Sequence, residues 1–195
     1  MPRRSIRIML AFVVALTFLQ PGGLFAADTG ADGAKMMDKE NLLYLDIPAG
    51  RVVIQLRPDL APNHVARIKE LARQKFYDGI VFHRVIKGFM AQTGDPTGTG
   101  MGGSGKKLTA EFSKEPHGRG TASMARAGDP NSADSQFFIC LDNANFLDGQ
   151  YTVWGAVVSG MEFVDQIKLG DSGNNGAVKD PTKIVHMQVA ADVKE

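Results

Sequence analysis

Two stretches of this sequence carry side chains whose types and spacing could do chemistry. The first is FHRVIKGFMAQTGD at residues 82–95, and the second is SQFFI at residues 135–139. Side chains alternate between the two faces of a strand, so Met90 shares a face with Gln92, and Gln136 shares a face with Phe138. Each strand therefore presents an apolar group and a neutral amide on the same side, with Arg84 close by in sequence.

This set of side chains favours chemistry in which no covalent bond breaks, because it offers no nucleophile and no pair of carboxylates. The histidines His64, His117 and His186 are scattered without the spacing of metal ligands, so we expect neither a metal nor a cofactor. His83 adjoins Arg84, but strand alternation directs it to the other face. It is therefore predicted to be a hydrogen-bonded structural histidine.

The two stretches resemble the cyclophilin family of peptidyl-prolyl cis–trans isomerases, and their motifs occur together, in order and at family-like spacing. The resemblance extends from about Leu42 to the C-terminus. It implies a mainly β fold, a closed eight-stranded antiparallel β-barrel capped by two α-helices. It also implies an enzyme whose partners are proline-containing unfolded or folding polypeptides, and which speeds an exchange that takes tens to hundreds of seconds unaided.

The resemblance also implies a role for each site residue. Arg84 matches the family's essential arginine, which donates to the imide nitrogen when the amide is twisted and its resonance is lost. Gln92 would bind the carbonyl that rotates, and Gln136 would hold the main chain of the peptide together with the backbone around Ala125 and Arg126. The implied proline pocket and its rim comprise Phe89, Met90, Phe138, Phe146, Leu147 and Tyr151.

Three positions depart from the best-known eukaryotic pattern of this family. Phe146 replaces a tryptophan, Tyr151 replaces a histidine, and Arg126 replaces an asparagine. The pocket stays apolar, so we expect turnover to be retained. Binding of cyclosporin is expected to weaken, because phenylalanine lacks the indole N–H that the drug would use. Trp154 is expected to lie in the barrel core rather than to replace that tryptophan.

The pattern of apolar residues predicts the elements that position this site. Strands 42–47 and 51–56 form a hairpin, and a helix begins near Pro62 and runs to about Gln74 with a buried apolar stripe. Strands are also predicted at 80–85, 108–112, 120–124, 136–141, 152–158 and 183–189. A second helix is predicted from Met161 to Ile167.

The glycine-rich segment from Gly94 to Gly105 formally fits a dinucleotide-binding pattern and nearly fits a phosphate-binding loop. It lacks the Ser or Thr that would hold magnesium, and no long apolar helix follows it. A structural loop is therefore favoured. Besides this nucleotide-binding alternative, a binding module or holdase chaperone that grips proline-containing segments without turnover stays open.

The N-terminus resembles a secretory signal. Three arginines precede an apolar run over residues 8–19, which is shorter than the roughly 20 residues of a spanning helix. We predict a signal peptide over residues 1–26, a flexible linker over 27–40 and the isomerase domain over 41–195. The expected location is the periplasm, with an uncleaved inner-membrane anchor as the alternative.

Charge and cysteine usage limit the remaining partners. Removal of residues 1–26, which carry three arginines and no acid, changes the formal net charge from +1 to −2. A nearly neutral domain gives no reason to bind nucleic acid or anionic lipid, so we expect a monomer with no membrane contact after cleavage. Cys140 is the single cysteine. It lies in an apolar run and is predicted to be buried and unreactive.

Overall fold

A computed structural model of the chain describes residues 38–194. The predicted signal peptide and most of the predicted linker lie outside this range. Residues 39 and 40 of that linker form a 3-10 turn with Asn41, and Glu40 pairs with Lys69 and Arg73 of the first helix. The regular elements are β1 (Leu42–Ile47), β2 (Gly50–Leu56), α1 (Pro62–Arg73), β3 (Arg84–Ile86), β4 (Met90–Thr93), β5 (Thr121–Met124), β6 (Phe137–Cys140), β7 (Val153–Ser159), α2 (Met161–Val164) and β8 (His186–Val189).

The eight strands form one antiparallel sheet in the order β3-β4-β6-β5-β7-β2-β1-β8. The sheet curls strongly into a half-barrel, so the mainly β prediction is confirmed and the closed barrel is wrong. Within residues 38–194, no ladder joins the edge strands β3 and β8. The segments that precede these two strands are joined by an isolated bridge between Val81 and Lys183 and by backbone hydrogen bonds between residues 79–82 and residues 182–184.

A loop occupies the edge of β3 and explains why the barrel does not close there. The Val85 amide donates to Gly176 O at 2.8 Å, and the Val178 amide donates to His83 O at 3.1 Å. Arg84 also forms an isolated bridge with Ala177. Since backbone groups on this edge are already hydrogen-bonded, β8 cannot extend the sheet across it.

The two helices agree with the sequence pattern in position and differ in length. Helix α1 buries Val65, Ile68, Leu71 and Ala72, the predicted stripe, and packs against β7 and β8. Helix α2 ends at Val164, three residues before the predicted end, because the chain then tightens into i to i+3 turns. In the part of the chain described, neither helix has the length and apolar character to cross a membrane.

One predicted strand begins too early and another is absent. Residues 80–83 are irregular apart from the bridge at Val81, and β3 begins only at Arg84. Residues 108–112 form a single bridge, from Leu108 to Ala133, instead of a strand. Residues 80–82 pair only briefly with residues 182–184, and Leu108 pairs only with Ala133, so neither segment has a partner long enough to form a ladder.

The main core lies on one face of the sheet and is filled by large aromatic and aliphatic side chains. Trp154 is fully buried and packs edge-on against Phe137, with ring centroids 5.3 Å apart, so its predicted core position is confirmed. Cys140 is also buried, as predicted. Burial, with a smaller contribution from Asp148, raises the pKa of its thiol to about 12, which makes the thiolate scarce.

Candidate active site

Strand register assembles the site from three strands that are neighbours in the sheet. Arg84 on β3 lies opposite Gln92 on β4, and Gln92 lies opposite Phe138 on β6. Directly opposed residues share a face, so these three side chains form one row across the sheet. Met90 and Cys140 are opposed two residues further along and extend the same face.

Residues one position away in each strand point to the opposite face and bind the sheet to the core. Val85, Ala91, Phe137 and Ile139 are all at most 1% exposed and belong to the main apolar cluster. A slip of one residue would exchange the two faces and bury Arg84 in that cluster. The alternation predicted from the sequence is therefore what directs the guanidinium to the site.

Gly94 permits the close approach of β4 to the segment preceding β6. Its φ is +90°, and a Cβ at this position would lie 2.3 Å from the carbonyl oxygen of Ser135. Only glycine tolerates both the left-handed conformation and this contact. The approach places Gln136 beside Gln92.

A line of hydrogen bonds runs from the Arg84 guanidinium through the side-chain amides of Gln92 and Gln136 to the glycine-rich loop. Arg84 Nη1 donates to Gln92 Oε1 at 3.1 Å, and Gln92 Nε2 donates to Gln136 Oε1 at 3.0 Å. Gln136 Nε2 then donates to the carbonyl oxygens of Gly100 at 3.0 Å and Gly102 at 2.8 Å. Both donors of Gln136 are occupied, whereas one N–H of Gln92 stays available for a ligand.

The loop that covers the β3 edge provides a second group of hydrogen bonds to Arg84. Nε donates to the carbonyl oxygen of Asn175, and Nη2 donates to its side-chain oxygen, both at 3.0 Å. Three of the five guanidinium hydrogens are thus engaged, which leaves one hydrogen free on each terminal nitrogen. Among residues 38–194, no carboxylate forms an ion pair with Arg84.

Burial lowers the pKa of the Arg84 guanidinium from its ordinary value, while Tyr151 acts in the opposite direction. An arginine in a protein nevertheless keeps its proton. The site therefore contains a partly desolvated positive charge whose hydrogen-bond partners, within residues 38–194, are all neutral oxygens. Such a charge stabilises negative charge or a lone pair that develops beside it more strongly than a fully hydrated charge does.

The row borders an open cavity of about 620 Å³, and a second cavity of about 390 Å³ adjoins it. Nine of the site residues predicted from the sequence line the first cavity: Arg84, Phe89, Met90, Gln92, Ala125, Arg126, Phe138, Leu147 and Tyr151. Gln136 lines the second cavity, which shares Gln92, Ala125 and Arg126 with the first.

The apolar part of the first cavity is a separate hydrophobic cluster built on Met90, Phe138 and Leu147, with Phe89 and Tyr151 packed against it. The Phe138 ring is only 4% exposed. Its buried face stacks on His117 with ring centroids 6.3 Å apart and planes at 22°.

His117 is fixed in turn by polar contacts behind the cavity. Its Nδ1 lies 2.9 Å from Asp148 Oδ1, and its Nε2 lies 3.0 Å from the hydroxyl of Ser123. An Asp–His–Ser arrangement is typical of hydrolases, but Ser123 is fully buried, opposite Phe138 in the sheet, and cannot meet a substrate. Asp148 and Ser123 instead fix the His117 ring, on which Phe138 stacks.

Two predicted positions need correction. Phe146 does not line the first cavity; it lies outside it, 66% exposed, with its ring 5.3 Å from Phe89. It follows a buried Ala144 in a short 3-10 turn over Asn145–Leu147, which turns Leu147 inward and Phe146 outward.

His83 is the second correction. It borders the cavity, yet both its ring nitrogens are buried without a hydrogen bond of regular geometry, so the predicted hydrogen-bonded histidine is wrong. Burial is the main cause that lowers the pKa of His83, with Asp95 acting in the opposite direction. The imidazole is therefore neutral near pH 7 and is a poor acid.

The glycine-rich loop uses its amides for an internal anion. The buried carboxylate of Asp95 accepts from the amides of Thr97 at 2.7 Å, Thr99 at 3.1 Å and Gly100 at 2.6 Å. Burial by itself raises the pKa of Asp95, but these amide hydrogen bonds outweigh it and hold the pKa far below its usual range. With these amides occupied, the loop cannot bind a phosphate, which removes the nucleotide-binding alternative.

Sequence reasoning missed two residues of this site. Asn175 lies 91 positions from Arg84, and its sequence, GNNG, indicates only a turn. His117 gave no signal of its contact with Phe138. Both contacts depend on how distant segments meet, which local patterns do not encode.

The model of the family "Cyclophilin type peptidyl-prolyl cis-trans isomerase/CLD" matches residues 42–189. A "Probable peptidyl-prolyl cis-trans isomerase" from Brucella suis is 54% identical over 173 residues, covering 83% of this chain and 88% of the relative.

Solved structures give the same result. A cyclophilin from Hirschia baltica superposes with a TM-score of 0.73 at 29% identity, over 81% of this chain and 77% of that one. A cyclophilin-type isomerase from Cryptosporidium parvum, crystallised in the presence of the dipeptide Ala-Pro, gives a TM-score of 0.70 at 29% identity. That match covers 76% of this chain and 98% of the other. With the fold, the matched sequence and the match to the family model in agreement, the chain belongs to the cyclophilin-type peptidyl-prolyl cis–trans isomerases.

Proposed function

We propose that this chain isomerises Xaa-Pro bonds of exported proteins and that Arg84 stabilises the twisted transition state. The observation that carries the mechanism is the guanidinium itself, which has two free N–H groups and no ion-pair partner in the described chain. In the planar ground states the imide nitrogen has little basicity, whereas the twisted amide has a localised lone pair. A donor aimed at that nitrogen binds the transition state more tightly than either isomer.

The apolar cluster next to Arg84 is the proposed seat of the proline ring. Phe138 forms its floor and Met90 and Leu147 its sides, all three being less than 10% exposed. A ring fixed in this seat would let rotation occur on the acyl side of the bond. The Ala-Pro dipeptide present with the Cryptosporidium relative is consistent with a proline-sized ligand.

Gln92 is the proposed partner of the carbonyl that rotates. Its Oε1 is occupied by Arg84, so its remaining N–H is the group that would donate to the substrate. Gln136 has both its donors on the loop carbonyls, and its contribution is mainly to hold Gln92 and the loop in position. The backbone of Ala125 and Arg126, on the cavity wall, would bind the main chain of the peptide.

A proline-isomerisation assay on a short peptide tests the activity and separates it from a holdase function. We expect the purified domain to accelerate cis-to-trans exchange far beyond the unaided rate, because about 7 kcal/mol of barrier lowering gives roughly a 10⁵-fold acceleration. A protein that suppresses aggregation of unfolded clients but leaves this exchange unchanged would be a binding module instead.

Cyclosporin sensitivity tests the position of residue 146. The exposed ring of Phe146 stands beside Phe89, which lines the cavity, and its exposure leaves room for a larger side chain. We expect Phe146→Trp to bind cyclosporin at least about tenfold more tightly, from an indole hydrogen bond of about 0.5–1.5 kcal/mol and added apolar contact. Turnover of small peptides should change little. Equal inhibition of both proteins in a drug titration would mean that residue 146 does not meet the drug.

We further propose that the chain is exported and acts in the periplasm after cleavage near Ala26 or Ala27. The support is the sequence of residues 1–26, with its basic start and short apolar run. Mass spectrometry of the expressed full chain should find a mature form that begins near Ala27 or Asp28 in the soluble periplasmic fraction. Full-length protein restricted to washed membranes would support the anchor alternative.

A further inference from the structure

The side chains around the substrate cavity are unevenly charged. In the part of the chain that the structure describes, the first cavity is bordered by Arg84 and Arg126 and by no aspartate or glutamate. The adjoining cavity adds Lys107 and contains one acid, Asp134. Because the domain as a whole is nearly neutral, this local excess of positive charge belongs to the site and is not a general property of the surface.

Two acids near Arg126 are already engaged elsewhere: Asp129, three residues along the chain, and Asp134, which borders the same adjoining cavity. Asp134 accepts from the Ser104 amide at 2.7 Å, from the Ser104 hydroxyl and from the Gly105 amide at 2.9 Å. Asp129 accepts from the Asn131 amide at 2.9 Å. Among residues 38–194, neither forms an ion pair with Arg126.

Neutral groups hold the Arg126 guanidinium in a defined place. Its Nε donates to Gln150 O at 3.1 Å, and Nη1 donates to Ala127 O at 2.9 Å and Gly128 O at 3.3 Å. The guanidinium carbon lies 4.6 Å from the centre of the Tyr151 ring. Nη2 makes no hydrogen bond within the described part of the chain, so a donor edge is left open at the cavity.

The Tyr151 ring sets the distance from Arg126 to the proline seat. That ring packs edge-on against Phe138, with centroids 5.9 Å apart, so one aromatic ring separates the guanidinium from the floor of the seat. An extended peptide advances about 3.3–3.6 Å per residue. A side chain one or two residues from the bound proline can therefore reach Arg126.

We propose that this site prefers proline segments with an acidic side chain one or two residues from the proline, and that Arg126 recognises the carboxylate. The proposal rests on the proposed binding of proline over Phe138. A guanidinium with an open donor edge is the group best suited to a carboxylate, and no acid of the site competes for it. Arg84 is less suited to this role, because its charge is needed at the imide nitrogen.

The test compares matched short peptides that carry Glu or Gln at each of the two positions on either side of proline. We expect kcat/KM to be about three- to fivefold higher for Glu than for Gln at one position, the scale of a partly exposed ion pair. The gain should appear mainly in KM. It should shrink as salt is raised from 20 mM to 500 mM, since the pair is open to solvent.

Three variants make the outcome decisive, with the Glu-to-Gln ratio within each protein as the readout. Arg126→Gln should bring the ratio to about one, Arg126→Lys should restore part of it, and Lys107→Gln should leave it as in the wild type. Equal turnover of all peptides by the wild type would overturn the proposal while leaving the isomerase function intact. A preference that survives Arg126→Gln would also overturn it, by assigning the carboxylate to another cation. Absence of turnover on every peptide would instead contradict the proposed function, on which this inference depends.

Discussion

Replacement of Arg84 by Ala is expected to lower kcat/KM by about 10²- to 10³-fold, or about 3–4 kcal/mol of transition-state stabilisation. The reason is that the variant loses the only cation we place at the imide nitrogen. A water molecule in the vacated space would be a weaker and less directed donor. The loss should fall mostly on kcat, because the proline seat and the backbone contacts stay in place.

The fold should tolerate this change, because among the described residues the Arg84 side chain hydrogen-bonds only to Gln92 and Asn175, at the edge of an open cavity. A thermal melt should therefore shift little. Arg84→Lys is the matched control: it keeps the charge but loses the fork of donors, and we expect an intermediate rate. If Arg84→Ala stays within threefold of the wild-type rate and melts normally, the proposed mechanism is wrong.

Phe138→Ala is expected to impair both stability and substrate binding. The sequence suggests a partly exposed pocket wall and hence a loss smaller than that of a core phenylalanine. The side chain is in fact only 4% exposed and is supported from behind by His117. We therefore expect the full loss of about 3–5 kcal/mol in the free energy of unfolding.

The binding defect can be separated from the folding defect by measuring peptide affinity at a temperature where the variant is folded. KM should rise, because the floor of the proline seat is removed. Phe138→Leu is the companion variant, since it retains much of the apolar volume and should retain more of both properties. Unchanged peptide affinity in folded Phe138→Ala would place the proline elsewhere.

The local sequence pattern was sufficient to predict features that depend only on residues close together in the chain. Alternation paired Met90 with Gln92 on one strand and Gln136 with Phe138 on the other, and the three- and four-residue spacing identified the buried stripe of α1. These features follow from the periodicities of strands and helices, which hold for any chain. The contribution of each strand to the site could therefore be predicted from two short segments. The register that sets Gln92 between Arg84 and Phe138 is seen only in the folded sheet.

Prediction failed where distant segments compete for the same backbone groups. The edge of β3 could pair with a strand or with a loop, and only the folded chain reveals that residues 176–178 occupy it. The same loop brings in Asn175, which the sequence marks only as part of a turn. The outward turn of Phe146 likewise depends on the tight 3-10 turn that buries Leu147.

The two-sided hold on Arg84 has a consequence for the entropy of catalysis. A free arginine side chain loses up to about 2 kcal/mol of rotational freedom when it is fixed in one orientation. Here Gln92 on the sheet and Asn175 on the loop fix it in the free enzyme, so this cost is met once, when the chain folds. Each turnover then begins with the guanidinium already oriented, and loosening either amide would slow the reaction without removing any group that touches the substrate nitrogen.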